Sequence, residues 1–175
     1  EYISTVIRAD KWTKIKTFVS KIPQIVSTIT KHRIDIVHVH MAERGSVFRE
    51  GFVVLLAKAL GAKTIIHMHG ADIETWYDHQ PFVIKRVTRM IFCSADRMIV
   101  LGKNWLPFMQ QVMHGHEDKI RVLHNAVHVE DQNMANPDAT DVVFYGMLIK
   151  RKGVEDLMRA FAMVKDEIPE RIQLR

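Results

Sequence analysis

Two His-x-His pairs, each closing an apolar run, constrain this chain more than any other feature. His38-Val39-His40 ends IDIVHVH, and His67-Met68-His69 ends TIIHMHGAD, where Gly70 opens a turn and acidic Asp72 follows. Short β-branched runs of this kind read as strands. The two pairs lie one strand-helix-strand unit apart, a spacing that brings them side by side on neighbouring parallel strands. Ligands of parallel α/β sheets collect at the carboxyl ends of the strands, so polar rings repeated there point to a site rather than to core.

The same alternation runs along most of the chain. Residues 2–7 form a short β-branched run. Ile15, Phe18, Val19, Ile22, Ile25, Val26 and Ile29 then recur at three- and four-residue steps, the stripe of an amphipathic helix that Pro23 is expected to kink or divide. Residues 34–40 read as strand. Ser46 is expected to cap a helix through Phe48, Phe52, Val53, Leu56 and Leu60, with Gly61 as its stop. Residues 63–68 read as the next strand and Trp76, Tyr77 and Pro81 as a loop. Helix over 82–95, strand over 97–101, helix over 104–114 and strand over 119–123 follow. Strands joined by helical crossovers predict an α/β fold with a Rossmann-like parallel sheet.

The grammar breaks after this. Residues 128–141 are polar, contain Asn136-Pro137 and show neither period, as expected of a linker or long loop. It then restarts: strand over 141–145, a turn at Gly146, helix over about 153–165, and a last strand toward Arg175. A second α/β unit is expected to open near Asp141.

Composition narrows the class. The chain has 175 residues, 47% of them apolar, and a single cysteine, Cys93, which excludes an internal disulfide framework and fits a reducing compartment. No apolar stretch reaches the ~18 residues of a membrane span, and the first residues lack the charged head and apolar stretch of a signal peptide. The chain opens in a strand-like run without an initiator Met, so it is expected to begin partway into a domain. Net charge is +5 and the pI is near 9.4. Much of this excess sits at residues 11–33, where Lys11, Lys14, Lys16, Lys21, Lys31 and Arg33 face no acidic residue. The helix there is read first as a surface helix packed on a sheet and second as a contact for an anionic membrane surface.

The ordered series DIVHVH, MAERGSVFRE, HMHGAD, SADRMIVLG, RVLHNAV and FYGMLIKRKGVEDLMRAF resembles the retaining glycosyltransferases of the GT-B fold, in the large fourth family that builds bacterial polysaccharides and lipid-linked glycans. The resemblance covers nearly the whole chain. It implies that residues 1–127 are part of an acceptor-side Rossmann-like domain, 128–140 the interdomain linker, and 141–175 the start of a nucleotide-sugar-binding domain. It also implies transfer of a sugar from a nucleotide diphosphate sugar to a glycan or lipid-linked acceptor with retention. The expected location is cytoplasmic, with peripheral contact to the inner face of the membrane through the 11–33 helix.

Site residues follow from the same resemblance. Lys152, beside Gly153 and a helix start, is similar to the family's diphosphate-binding lysine, with Gly146 and Arg151 completing the donor-diphosphate segment; helix amino termini favour phosphate. Met147 stands where the family usually has arginine. His69 corresponds to a histidine set between donor sugar and acceptor, and Asp72 lies a short turn away; these two are the expected catalytic pair. Arg44, Ser46 and Arg49 resemble the acceptor-side cleft, where guanidinium groups suit a phosphate-bearing acceptor. His38 and His40 are read as structural. The family's glycine-rich turn and glutamate pair are not found, so the chain is expected to be an internal fragment without activity of its own.

Two other classes share parts of this pattern. His-x-His at a strand end is also a zinc-binding arrangement, as in a metal-dependent hydrolase. His114, His116, His124 and His128 bring no matching carboxylate, so no metal or other cofactor is expected. A basic nucleic-acid binder would need aromatics interleaved on a basic strand face, which this chain lacks, so no nucleic acid is expected as partner.

Overall fold

A computed structural model describes residues 2–5, 9–128, 138–169 and 172–175. The chain divides into two compact units, Glu1–Val127 and His128–Arg175.

The first unit is a four-stranded parallel sheet in the order β1 (Ile36–Met41), β2 (Lys63–Met68), β3 (Arg97–Val100), β4 (Ile120–Val122). The crossovers are α2 (Gly45–Ala59), then α3 (Ile73–Asp78) with α4 (Phe82–Ser94), then α5 (Leu106–Val112); α1 (Lys11–Lys31) precedes β1. Pairing in register, Val39 with Ile66 and Ile66 with Met98, sets one row of buried side chains across the sheet. Met41, Met68 and Val100 extend that face, and α2 and α4 supply Val47, Val54, Ala57, Ile91 and Phe92 to the same core. Side chains alternate across a strand, so His38, His40, Ile65, His67 and Ile99 share the opposite face. The helices α2 and α4 approach closely at Gly51, where an added Cβ would lie 2.6 Å from the Ile91 side chain.

Asp10 begins α1 by accepting from the backbone N–H groups of Trp12 (3.0 Å) and Thr13 (3.2 Å). Of the expected kink or division at Pro23, the division does not occur: α1 is one continuous helix through that residue. Part of it packs: Ile25 and Ile29 in its far half are buried, and Phe18 in its near half meets Phe52 of α2 edge-on at 5.9 Å between ring centroids. The rest of the near half does not, and Trp12, Ile15 and Val19 stay exposed. Asp96 fastens the amino ends of β2 and β3, accepting from the Thr64 backbone N–H at 2.9 Å and the Lys58 ammonium at 3.2 Å.

Three further expectations need correction. Residues 2–5 carry no strand; of the remainder of that run, residues 6 and 7 lie outside the described residues. Ile73–Asp78 is a short helix rather than loop, because Trp76 packs edge-on against Phe48 and Ile73 is buried, contacts between distant segments that local pattern does not carry. Ser46 does not cap α2: the cap position is Arg44, with φ of 64°, and the Ser46 hydroxyl instead accepts from the Ala42 backbone N–H at 3.0 Å, closing the β1–α2 turn. Gly61, at φ of 87°, ends α2 as expected.

In the second unit β5 (Asp141–Val142) pairs in parallel with β6 (Gln173–Leu174), and α6 (Val154–Val164) lies between them in sequence. The strand expected over 141–145 is therefore only two residues long. No described residue of this unit is buried. Most of the expected linker, residues 129–137, lies outside the described residues. Among the described residues no helix is long and apolar enough to cross a membrane.

Candidate functional site

The strand register builds a four-histidine cluster. His40 pairs directly with His67 across β1 and β2, and His38 and His69 extend the cluster along each strand. The His38 and His40 rings stack with centroids 4.8 Å apart, His40 and His69 at 4.9 Å, and His67 and His69 lie at 4.3 Å. Two diagonal contacts join the strands: His38 Nε2 to His67 Nδ1 at 3.3 Å, and His40 Nδ1 to His69 Nε2 at 2.8 Å. The second is a hydrogen bond in which one ring carries the shared proton.

Burial, with repulsion between neighbouring rings, disfavours the charged forms of His38, His67 and His69. His67 is buried, and loss of water around it, followed by repulsion from His69, His38 and His40, lowers its pKa to about 4. Desolvation also lowers His38, with His40 and His69 adding repulsion, and lowers His69, with His40 adding its share. Neutral imidazoles present lone pairs, the form that accepts hydrogen bonds or binds metal. His67 Nε2 is buried without a hydrogen-bond partner among the described residues.

Gly70 ends this strand for a steric reason. A Cβ there would lie 2.5 Å from the Glu43 backbone nitrogen and collide with the Glu43 carboxylate. Only glycine lets the turn after β2 pass the turn after β1 at this distance. The His69 backbone N–H donates to Met41 O at 2.7 Å, so the histidine remains tied to the sheet edge while its ring projects beyond it. Glu43 Oε2 is buried there without a hydrogen-bond partner among the described residues. Neither Glu43 nor Gly70 was expected as a site residue; the HMHG sequence signals only that a turn follows.

The other expected residues divide into groups. Asp72 stands at the cap position of α3, three residues beyond His69. Arg44 and Ser46 sit on the turn after β1, Arg44 exposed and Ser46 half-buried. Arg49 is drawn onto its neighbour: its guanidinium bridges the buried Glu50 carboxylate at 2.6 Å, and the Thr5 hydroxyl donates to the same group. That pairing compensates a charge otherwise costly to bury. In the second unit, Arg151 and Lys152 lie in one exposed 3₁₀ turn (Lys150–Lys152), followed by Gly153 at φ of 76°, the left-handed conformation that favours glycine. Gly146 is exposed, and a Cβ there would meet only the Phe144 ring, at an ordinary 3.7 Å.

Two depressions open on the first unit. One of about 720 Å³ lies at the amino ends of the strands, between Ile29, Arg33, Asp35, Leu60 and Lys63. A smaller one of about 410 Å³ lies after β3 and β4, lined by Leu101, Gly102, Lys103, Asn104, Trp105 and His124. The smaller is better placed for chemistry, because it shares the carboxyl edge with the histidines.

Residues 7–131, more than half of the chain, match the model of one protein family, Glycosyltransferase Family 4. No curated protein matches the chain.

Proposed function

The chain belongs to Glycosyltransferase Family 4, and on that footing we propose that the protein carrying it moves a sugar, of hexosyl type, from a nucleotide diphosphate sugar to a glycan or lipid-linked acceptor with retention at the anomeric carbon. The observation that supports this most is the His69 ring, placed just past the carboxyl end of β2 inside the matched segment, where burial disfavours its charged form. A neutral imidazole there hydrogen-bonds a sugar hydroxyl without adding charge to the site. Asp72 belongs to the same turn. Arg44, Ser46 and Arg49 serve the acceptor side; Arg44 is the exposed guanidinium, while Arg49 also neutralises Glu50.

In the second unit, Arg151 and Lys152 take the donor diphosphate, with Gly146 and Gly153 giving the backbone room around it. Negative charge grows on the leaving diphosphate as the glycosidic bond breaks, and preorganised cations stabilise it. Glu155 and Asp156 occupy the first turn of α6 and oppose an anion there, so the cationic side chains must carry that load. Activity is assigned to the whole protein rather than to these 175 residues alone. In that protein Lys152→Ala is expected to lower turnover on the order of a hundredfold, and Met147→Arg to tighten nucleotide binding. Wild-type turnover by Lys152→Ala with the best nucleotide sugar would remove the diphosphate assignment.

A membrane-facing role for α1 forms part of this reading. Trp12 is 73% exposed beside Lys11, Lys14 and Lys16, an apolar edge flanked by cations. Lys14→Glu with Lys21→Glu is expected to reduce binding to vesicles containing anionic lipid, as is added salt. Unchanged binding would return α1 to a purely structural role.

A further inference from the structure

We propose that His38, His40 and His67 form a binding site for one borderline divalent transition-metal ion, with Zn²⁺ as the ion their ligand chemistry fits. The inference is independent of the transferase reading and reverses the expectation of a metal-free protein. That expectation found no acidic ligand to complete the set of His38, His40, His67 and His69. The sheet completes the set differently, because parallel register lays His67 of β2 directly beside His40 of β1.

The three rings each offer one nitrogen, and these nitrogens all lie within 4.8 Å of one another. The His38 Nε2 to His67 Nδ1 separation of 3.3 Å is long for a hydrogen bond, yet it is the edge of a tetrahedron with metal–nitrogen bonds of about 2.0–2.1 Å. Drawing in the third nitrogen takes a movement of roughly 1.5 Å at most, which a rotation of the exposed His40 ring provides. Without a cation, one of the two facing nitrogens must carry a proton to avoid two opposed lone pairs. With one, both lone pairs point at positive charge. His67 is 8% exposed, and the strand on either side fixes its position, so one ligand is preorganised.

Donor type selects the ion. Three imidazoles without a carboxylate suit zinc, copper or nickel and disfavour magnesium and calcium, which take oxygen ligands. His38 and His40 are exposed, so the fourth position opens to solvent, the arrangement of a three-ligand site with an exchangeable water. His69 stands beside the set, with Nε2 at 2.8 Å from His40 Nδ1, in reach to serve as the outer hydrogen-bond partner that a metal-bound histidine uses.

The test is Zn²⁺ titration of the tag-free, chelator-stripped chain against a chromophoric chelator, with circular dichroism verifying that each variant is folded. One ion per chain is expected. His38→Gln and His40→Gln, both at exposed positions, should each weaken binding by at least on the order of tenfold to a hundredfold, the cost typical even of an outer partner. His69→Ala should weaken it by about tenfold, and His116→Gln, remote in sequence from these strands, should not alter it. Absence of stoichiometric uptake, or uptake unchanged in the folded His38→Gln/His40→Gln double variant, overturns the proposal. Either result leaves the transferase reading standing, since Lys152→Ala tests that separately.

Discussion

The two units use the same strand-loop-helix sequence grammar and arrive at different physical states. Around β1 to β4, parallel register closes over buried Val39, Met41, Ile66, Met68, Met98 and Phe92. The sheet thereby holds four histidine rings in mutual contact. Around β5 and β6, two-residue strands pair, α6 buries no side chain, and the basic segment at Arg151 and Lys152 stands exposed. Secondary structure places residues along a chain, but packing is what fixes a side chain in space. In the first unit chemistry is preorganised; in the second, charge is supplied without a packed support.

Large-to-small substitutions test this contrast with the largest expected effect. Phe92 is fully buried, so Phe92→Ala should cost about 3–5 kcal/mol and lower the denaturation midpoint of the first unit. Phe161, half-buried on α6, should cost under about 1 kcal/mol when changed to alanine. Equal losses would mean that the second unit has a core of its own.

Glycine substitutions sharpen the comparison at the sites themselves. Gly70→Ala drives a Cβ against the backbone of Glu43 and should cost about 1–3 kcal/mol, displacing the turn that bears His69. Gly146→Ala meets only ordinary contact with Phe144 and should be neutral within about 0.5 kcal/mol. Thermal melts of both variants, with imidazole resonances as a local probe, decide this; an unperturbed Gly70→Ala would remove the steric account of the turn.

Acid titration gives the smallest effect. Burial alone would raise the Asp96 carboxyl, but the Thr64 backbone N–H, the Lys58 ammonium and the Thr64 hydroxyl together outweigh it, so its pKa lies below the ordinary 3.8. The unfolded chain therefore takes up this proton first as pH falls. The contribution is fully present above the ordinary value and is lost as pH drops through the folded one. Asp96→Asn should flatten the acid limb of stability by less than about 1 kcal/mol, since Asp96 is partly exposed. An unchanged acid limb would show that this contact does not hold β2 to β3.

Much of the first unit was legible because its strands are bounded by clear punctuation. The span of β2 was read without error, and Gly61 ended α2 where its left-handed backbone requires glycine. What escaped depended on partners distant in sequence. Six residues holding Trp76 and Tyr77 read as loop because the rings that make them a helix belong to α2 and α5. Ser46 matched the composition of a cap, yet the tight turn at Arg44 gave its hydroxyl a different donor. The His-x-His spacing announced two pairs, but their diagonal contacts required the register between β1 and β2. The apolar stripe of α1 read as one buried face, whereas Phe18, Ile25 and Ile29 pack and Ile15 and Val19 stay exposed. For Glu43 beside Gly70, no local signal existed at all.

Hydrogen exchange, resolved by peptide, tests most directly whether the first unit is the preorganised part of this chain. The backbone N–H groups of residues 37–41 and 64–68 should be protected on the order of 10³-fold or more, the level of global opening in a stable domain. Those of residues 141–144 and 173–175 should exchange within about tenfold of an open chain. Comparable protection in both sets would contradict the account, because the basic segment at Arg151 and Lys152 would then rest on a scaffold as firm as the one beneath the histidines.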